Sequence, residues 1–287
     1  MKTTRLLMVC LLLTLGACAP SAPRFTIENY PRVDGSTVTI PLSEALMAKL
    51  TGKTVEEVRP YILHSKTHQA YLNLIDGTKD LILVTSPSEG ELAYADEHGI
   101  ELEVIPVTSE AFVFLVHKEN PVESLTLAQI QDIYTGQITN WSQVGGDDVA
   151  IRAFQRPVNS GSQTGFLDLV MQEKTPIDPP TEWVTAEMGQ LIEAVASYDQ
   201  SPDAIGYSYY YFVTDMWGNP NVRLLKVNGV YPEPATITNQ TYPIGTAYYA
   251  VFRKDEPQNS SVRKVVNYLL SAAGQRLVED SGYVKVR

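Results

Sequence analysis

The segment best equipped for chemistry is RPVNSGSQTGF, Arg156 to Phe166. Ser160, Gly161, Ser162 and Thr164 are small hydroxyl or glycine positions, and the apolar residues Phe166, Leu167, Leu169 and Val170 follow. A helix that begins this way rises from a loop whose free N–H groups and hydroxyls point in one direction. Converging donors and the positive end of the helix dipole attract an anion. Arg156, four residues before Ser160, adds a planar fork that matches two oxygens of a tetrahedral oxyanion. The same letters also suit a capped helix beside a surface arginine.

Two earlier segments repeat the theme. Asp34-Gly35-Ser36-Thr37 precedes a helix that Pro41 would open, with Leu42, Ala45 and Leu46 on one face. Ser65-Lys66-Thr67 precedes another, with Tyr71, Leu72 and Ile75 inward. Each alone reads as a turn or cap. Three such termini in one chain allow each side of a cleft to supply donors to a shared anion. Other chemistries fare worse. His64 and His68 stand at i, i+4 without a third ligand, so no metal is expected. No lysine completes a nucleotide phosphate loop, no G-x-S-x-G elbow occurs, and no acidic pair stands out as catalytic. The reading therefore needs no cofactor and no enzymatic residue. The aromatic run Tyr207, Tyr209, Tyr210, Tyr211, Phe212 reads as a buried strand.

These termini must be held by a regular framework. Asp80–Thr85, Leu102–Val107 and Ala111–Val116 read as strands, the first and third continuously apolar. Helices are expected at Thr126–Tyr134, opened by a Thr126/Gln129 capping box, at Met188–Tyr198 and at Ser261–Ala273. The last places Val262, Val265, Val266, Leu269 and Leu270 on one face. Strands alternating with helices indicate an α/β protein with mixed, mostly parallel sheets. AFVFLVHKENP (Ala111–Pro121) and YYAVFRKDEP (Tyr248–Pro257) share a strand, a basic pair, an acidic stretch and a proline. Read functionally, they are related strands near the crossovers of a two-lobed chain; any strand, turn and capped helix would also look alike.

The chain has 287 residues, 44% hydrophobic and 19% charged, which excludes collagen-like, coiled-coil and largely disordered classes. Its 22 basic and 33 acidic residues give a net charge of −11, a poor match to nucleic acid or anionic lipid. Lys2 and Arg5 followed by an apolar run from Leu6 to Leu15 read as a secretory signal over residues 1–17. Leu15-Gly16-Ala17-Cys18 resembles the lipobox of bacterial lipoproteins, with lipid on Cys18. The only other cysteine is Cys10, inside the signal, so the mature body has no disulfide or thiol chemistry. Residues 18–30 are expected to be a lipidated tether, and the body is placed outside the cytoplasm, anchored by lipid alone.

SLTLAQIQDIYTGQITNW (Ser124–Trp141), RPVNSGSQTGF, AIGYSYYYF (Ala204–Phe212), Tyr242-Pro243-Ile244 and AAGQRLVEDSGYVKV resemble the PstS family of phosphate-binding lipoproteins of bacterial ABC transporters. The resemblance implies a two-lobed periplasmic-binding-protein fold of type II, with residues 31–108 and 240–287 in lobe I and 109–239 in lobe II. It implies a monomer that closes on an inorganic oxyanion, phosphate first, and delivers it to an ABC permease. It places ligand donors at Ser36, Thr37, Ser65, Ser86, Arg156, Ser160, Gly161, Ser162 and Thr164. Two departures bear on selectivity. The family's Ser-Asp dipeptide after the Asp80–Thr85 strand is replaced by Ser86-Pro87-Ser88, leaving Asp34, Glu89 and Glu110 as the nearest substitutes. Ser65-Lys66-Thr67 stands where a glycine-rich turn is usual. Sulfate, molybdate, tungstate or a small organic anion remain alternative ligands, and sensing or adhesion without transport an alternative role.

Overall fold

The computed structural model describes residues 22–197 and 202–286. The expected leader, Cys18 and the helix end at Tyr198 lie outside the described residues. The chain is docked on the body from Phe25, earlier than a tether to residue 30 would allow. The Phe25 N–H donates to the Leu50 carbonyl at 3.0 Å, and its ring meets buried Tyr30 edge-on at 5.6 Å.

The strands in chain order are β1 (Val33–Gly35), β2 (Leu81–Val84), β3 (Leu102–Pro106) and β4 (Thr108–His117). There follow β5 (Ser124–Leu125), β6 (Arg152–Ala153), β7 (Ala204–Tyr209) and β8 (Val222–Leu224). The last are β9 (Lys226–Val227), β10 (Gly245–Thr246), β11 (Tyr249–Arg253) and β12 (Val284–Lys285). One sheet has the order β1-β2-β11-β3. A second has the order β10-β4-β7-β6, with β8 and β12 also on β4, and β5 pairs with β9 in a separate ribbon. Helices pack around both sheets, giving a two-lobed α/β architecture.

The expectation of mostly parallel sheets needs correction. Among the nine pairings between these strands, β1·β2, β5·β9 and β6·β7 are parallel and the other six are antiparallel. Continuous apolar runs mark burial on both faces, whichever way a neighbour runs. Here β2 is fully buried and β4 is buried from Glu110 to His117 because helices cover their faces. The two similar segments seen in the sequence supply β4 and β11, each an interior strand of a different sheet.

The helix Leu127–Tyr134 starts on the expected capping box, with Thr126 Oγ1 accepting from the Gln129 N–H. The expected helix Ser261–Ala273 is instead two, Ser261–Leu270 and Ala272–Asp280. Ser271 causes the break: its extended backbone lets Oγ accept from the Gly274 N–H while the hydroxyl donates to the Tyr268 carbonyl at 2.6 Å. Such a cap is worth about 1 kcal/mol. Val262, Val265, Val266 and Leu269 are buried as expected, whereas Leu270 at the break is 39% exposed. In the Thr67–Ile75 helix, Leu74 rather than Leu72 joins Tyr71 and Ile75 inside.

Glu110, walled into the start of β4, has a measurable consequence. Its Oε1 accepts from the Ala111 N–H at 2.7 Å, yet burial pushes the carboxyl up to about 7. Below pH 4.5 the group is neutral whether folded or unfolded. As pH rises from about 4.5 to about 7 the unfolded chain ionises first, so stability falls by roughly 3 kcal/mol across that window. Glu110→Gln should flatten this part of a urea-denaturation profile measured from pH 4.5 to 8. Parallel profiles for the two proteins would remove Glu110 as the cause.

Candidate functional site

Two of the three parallel pairings build the site. In β1 and β2, with Gly35 opposite Leu83, both strands end on the same side and bring Ser36 and Thr85 together. In the other sheet β6 and β7, with Ala153 opposite Ile205, end beside Arg156 and Tyr209 in the same way. Carboxyl ends of parallel strands are where α/β sheets gather ligand-binding loops. A cavity of about 750 Å³ lies between these ends. Ser36, Thr37, Thr67 and Thr85 line one wall, and Arg156, Ser160, Gly161 and Ser162 face them from the other.

The walls are close. A Cβ placed on Gly161 would lie 2.5 Å from Thr85 Oγ1 and 2.6 Å from Thr67 Oγ1, so only glycine allows this approach. Nearby, Lys66 Nζ donates to Glu187 Oε1 at 2.5 Å, across 121 residues of chain. Lys66 has φ +74°, a conformation that favours glycine and strains a side-chain-bearing residue. The unusual lysine thus keeps the backbone of a glycine turn and carries a cation to the cavity wall.

Arg156 is held from behind. Its N–H reaches Tyr207 Oη at 3.0 Å and Gln163 Oε1 at 3.1 Å, and the Tyr207 hydroxyl donates to the same Gln163 oxygen. The Tyr207 ring stacks on Phe166 at 4.5 Å, which ties the arginine loop to the helix that follows. Arg156 Nη2 donates to the Ala186 carbonyl at 3.0 Å, whereas Nε and Nη1 are buried with no partner. Burial pushes the guanidinium pKa down, opposed by Tyr207 and Glu187. Thr85 Oγ1 and Ser162 Oγ are also buried without a partner. Leaving each such group unpaired costs about 1–3 kcal/mol, and more for a charge. The three residues line one cavity, so one acceptor can satisfy them together.

The short helix Gly161–Gly165 continues as a π-helical turn over Phe166–Met171. Ser160 Oγ caps it by accepting from the Gln163 N–H, and the Tyr209 hydroxyl donates to the Gly161 carbonyl at 2.8 Å. Of the nine residues expected from the sequence, Ser36, Thr37, Arg156, Ser160, Gly161 and Ser162 line the cavity, but three do not. Ser65 turns away, its hydroxyl donating to Asp34 Oδ2 at 2.7 Å. Ser86 is half-buried off the cavity, because Thr85 before it takes the inward position at the end of β2. Thr164 is buried behind the wall, one turn into the helix, with its N–H bonded to the Ser160 carbonyl.

None of the three substitute acids reaches the cavity. Asp34 would be raised by burial, but bonds from Ser65, Asn73 and the Gly35 N–H outweigh that and hold it low, occupying both oxygens. Glu89 is exposed in the first turn of the helix Glu89–Glu97, and Glu110 is enclosed in its sheet. The carboxylates that do line the cavity are Glu187 and Glu193, the first already bonded to Lys66. Sequence reasoning missed Lys66, Thr67, Thr85, Tyr209 and Glu187. The available signal was position: Thr85 and Tyr209 stand at the carboxyl ends of strands. His64 and His68 have different partners. His64 Nδ1–H donates to the Ser36 carbonyl at 2.8 Å, and His68 meets Glu91 at 3.0 Å.

A family model described as a PBP superfamily domain matches residues 26–273. The phosphate-binding protein PstS of Bacillus subtilis is 28% identical over 195 residues, 67% of this chain and 61% of that protein. PstS of Borreliella burgdorferi is 26% identical, and the match spans 64% of it, so the chain covers under two thirds of either relative. PstS of Staphylococcus epidermidis is 24% identical over 94% of this chain and 84% of its own. Among solved structures, a phosphate ABC transporter substrate-binding protein from Clostridium perfringens with bound phosphate superposes with TM-score 0.66 and 25% identity. That superposition covers 90% of this chain and all of the other. With residues 26–273 matched, and with a donor-lined cleft between two sheets, the chain belongs to the PBP superfamily and is similar to its PstS members.

Proposed function

We propose that this protein captures phosphate between its lobes and delivers it to an ABC permease. The observation that carries this reading is the set of orphaned donors: Arg156 Nε and Nη1, Thr85 Oγ1 and Ser162 Oγ are all buried around one cavity. A tetrahedral oxyanion offers acceptors in several directions at once, which suits donors arriving from two walls. The likeness to phosphate-binding proteins supports phosphate as the first choice among such anions. The lobes comprise residues 31–108 with 240–287, and residues 109–239. β10 and β12 pair with the first residues of β4, which supports a crossover there. The role is binding without catalysis, and no phosphate release from a chromogenic ester is expected. The protein acts as a monomer outside the cytoplasm, held at the membrane by lipid on Cys18. Among the described residues no helix is long and apolar enough to cross a membrane.

Calorimetry of the purified protein against phosphate, sulfate, molybdate and tungstate tests the reading. Phosphate should bind most tightly, and absence of heat with all four would overturn it. The same titrations test selectivity. Phosphate near neutral pH keeps a P–OH that needs an acceptor, and a carboxylate there would repel sulfate. The cavity offers Thr85 and Ser162 hydroxyls, which can donate or accept, and of its two lining carboxylates Glu187 is engaged by Lys66 and Glu193 by the Trp217 indole N–H. Phosphate should therefore be preferred over sulfate by less than a thousandfold at pH 7, about 4 kcal/mol. A larger preference would show that Glu187 or another acid accepts the phosphate proton.

A further inference from the structure

The cavity is larger than an inorganic oxyanion requires. Four oxygens, each taking about the 30 Å³ of a water molecule, need roughly 120 Å³. The cavity measures about 750 Å³, within the range of sites for organic ligands, about 300–1,000 Å³. At the anion end the walls already meet. Lys66 and Glu187 are bonded across the cleft, and Thr67 and Thr85 leave no room for a side chain on Gly161.

The remaining wall has a different chemistry. Val38, Val158, Met188, Phe212, Met216 and Trp217 line it, continuous with the donors around Arg156. Trp217 is 46% exposed but fixed in place. Its indole N–H donates to Glu193 Oε1 at 2.7 Å, and its ring lies within 5.9 Å of Phe212, tilted by 21°. The other face of the constraint is Gly189, where a Cβ would come 2.3 Å from the Trp217 ring. Glu193 is itself steadied by Asn219 Nδ2 at 3.2 and 3.1 Å. A large ring held by an indole hydrogen bond, over a glycine that makes room for it, is a preorganised apolar shelf.

We propose that the cleft accepts an organic substituent on its oxyanion, so that its ligands include phosphonates and phosphomonoesters whose apolar group rests on Trp217. This inference rests on the oxyanion reading above and extends it from the anion to the group attached to it. The charged head would occupy the donors of Arg156, Thr85 and Ser162, leaving one oxygen or carbon directed toward the shelf.

Phenylphosphonate and methylphosphonate make the test, since both present the same kind of anionic head and differ in apolar area. Calorimetry of the full protein at pH 7 should show phenylphosphonate bound at least tenfold more tightly than methylphosphonate. Trp217→Ala should abolish that difference while leaving the affinity for inorganic phosphate within threefold, which also shows that the variant is folded. Equal binding of the two phosphonates, or binding of phosphate alone, would overturn the inference and leave the oxyanion reading intact. Loss of phosphate binding in Trp217→Ala would also overturn it, by making the ring part of the anion site or of the fold. If wild-type protein binds none of the three, both readings fall together.

Discussion

Arg156→Ala should lower the affinity for phosphate by at least a hundredfold, about 2.7 kcal/mol. The residue is 8% exposed, and two of its three side-chain nitrogens, Nε and Nη1, have no protein partner. Those are the donors left for a ligand, and removing them leaves a buried anion without its charged, forked partner. The backbone around it should persist, because its N–H is held by Tyr207 and Gln163 whichever side chain it carries. Ligand-free protein should even become more stable, since a buried cation with two unpaired donors is unfavourable. Arg156→Lys, which keeps the charge and loses the fork, should fall between the two. Calorimetry together with thermal melts of the free proteins checks both parts. An affinity within threefold of wild type would exclude Arg156 from the site.

Gly161→Ala should weaken phosphate binding by a similar factor through a different cause. The added methyl would lie 2.5 Å from Thr85 Oγ1 and 2.6 Å from Thr67 Oγ1, with Thr67 Cβ at 3.3 Å. Threonine side chains are stiff, so the strain cannot be released by a small rotation. It is released by parting the walls, which separates Thr85 from Ser162 and Arg156. The fold itself should not suffer, because alanine favours a helix over glycine by about 1 kcal/mol. The expected signature is an unchanged or higher melting temperature without ligand, joined to at least a hundredfold loss of affinity. A melting temperature that falls with the affinity would mean that Gly161 supports the lobe rather than the approach.

These two residues illustrate what was legible in the letters. Arg156 and Gly161 stand in a segment whose small residues, hydroxyls and following apolar run mark a helix start, a pattern set by local backbone chemistry. The same holds for the capping box at Thr126 and Gln129, and for β2 and β4, whose uninterrupted apolar residues require cover on both faces. Local rules did not give strand direction. Six antiparallel pairings among the described residues bring together segments far apart in the chain, as when Leu83 meets Ala250.

Choices between neighbours were beyond the sequence for a similar reason. At the end of β2, Thr85 and Ser86 are both hydroxyl residues, and a shift of one position turns a side chain from the cleft to its outside. Which of them faces Gly161 depends on how the other lobe approaches. Ser65 and Thr67 divide in the same way: Asp34, itself on β1, draws the Ser65 hydroxyl inward, and Thr67 is left at the wall. The local chemistry of the sequence by itself determined that helices would begin at hydroxyl-rich loops and that an arginine would stand beside one of them. Only the tertiary structure decided which hydroxyls meet, that Lys66 finds Glu187, and how much apolar room remains beside the anion donors. Each of these is set by a distance between residues far apart in sequence, fixed when the two sheets pack.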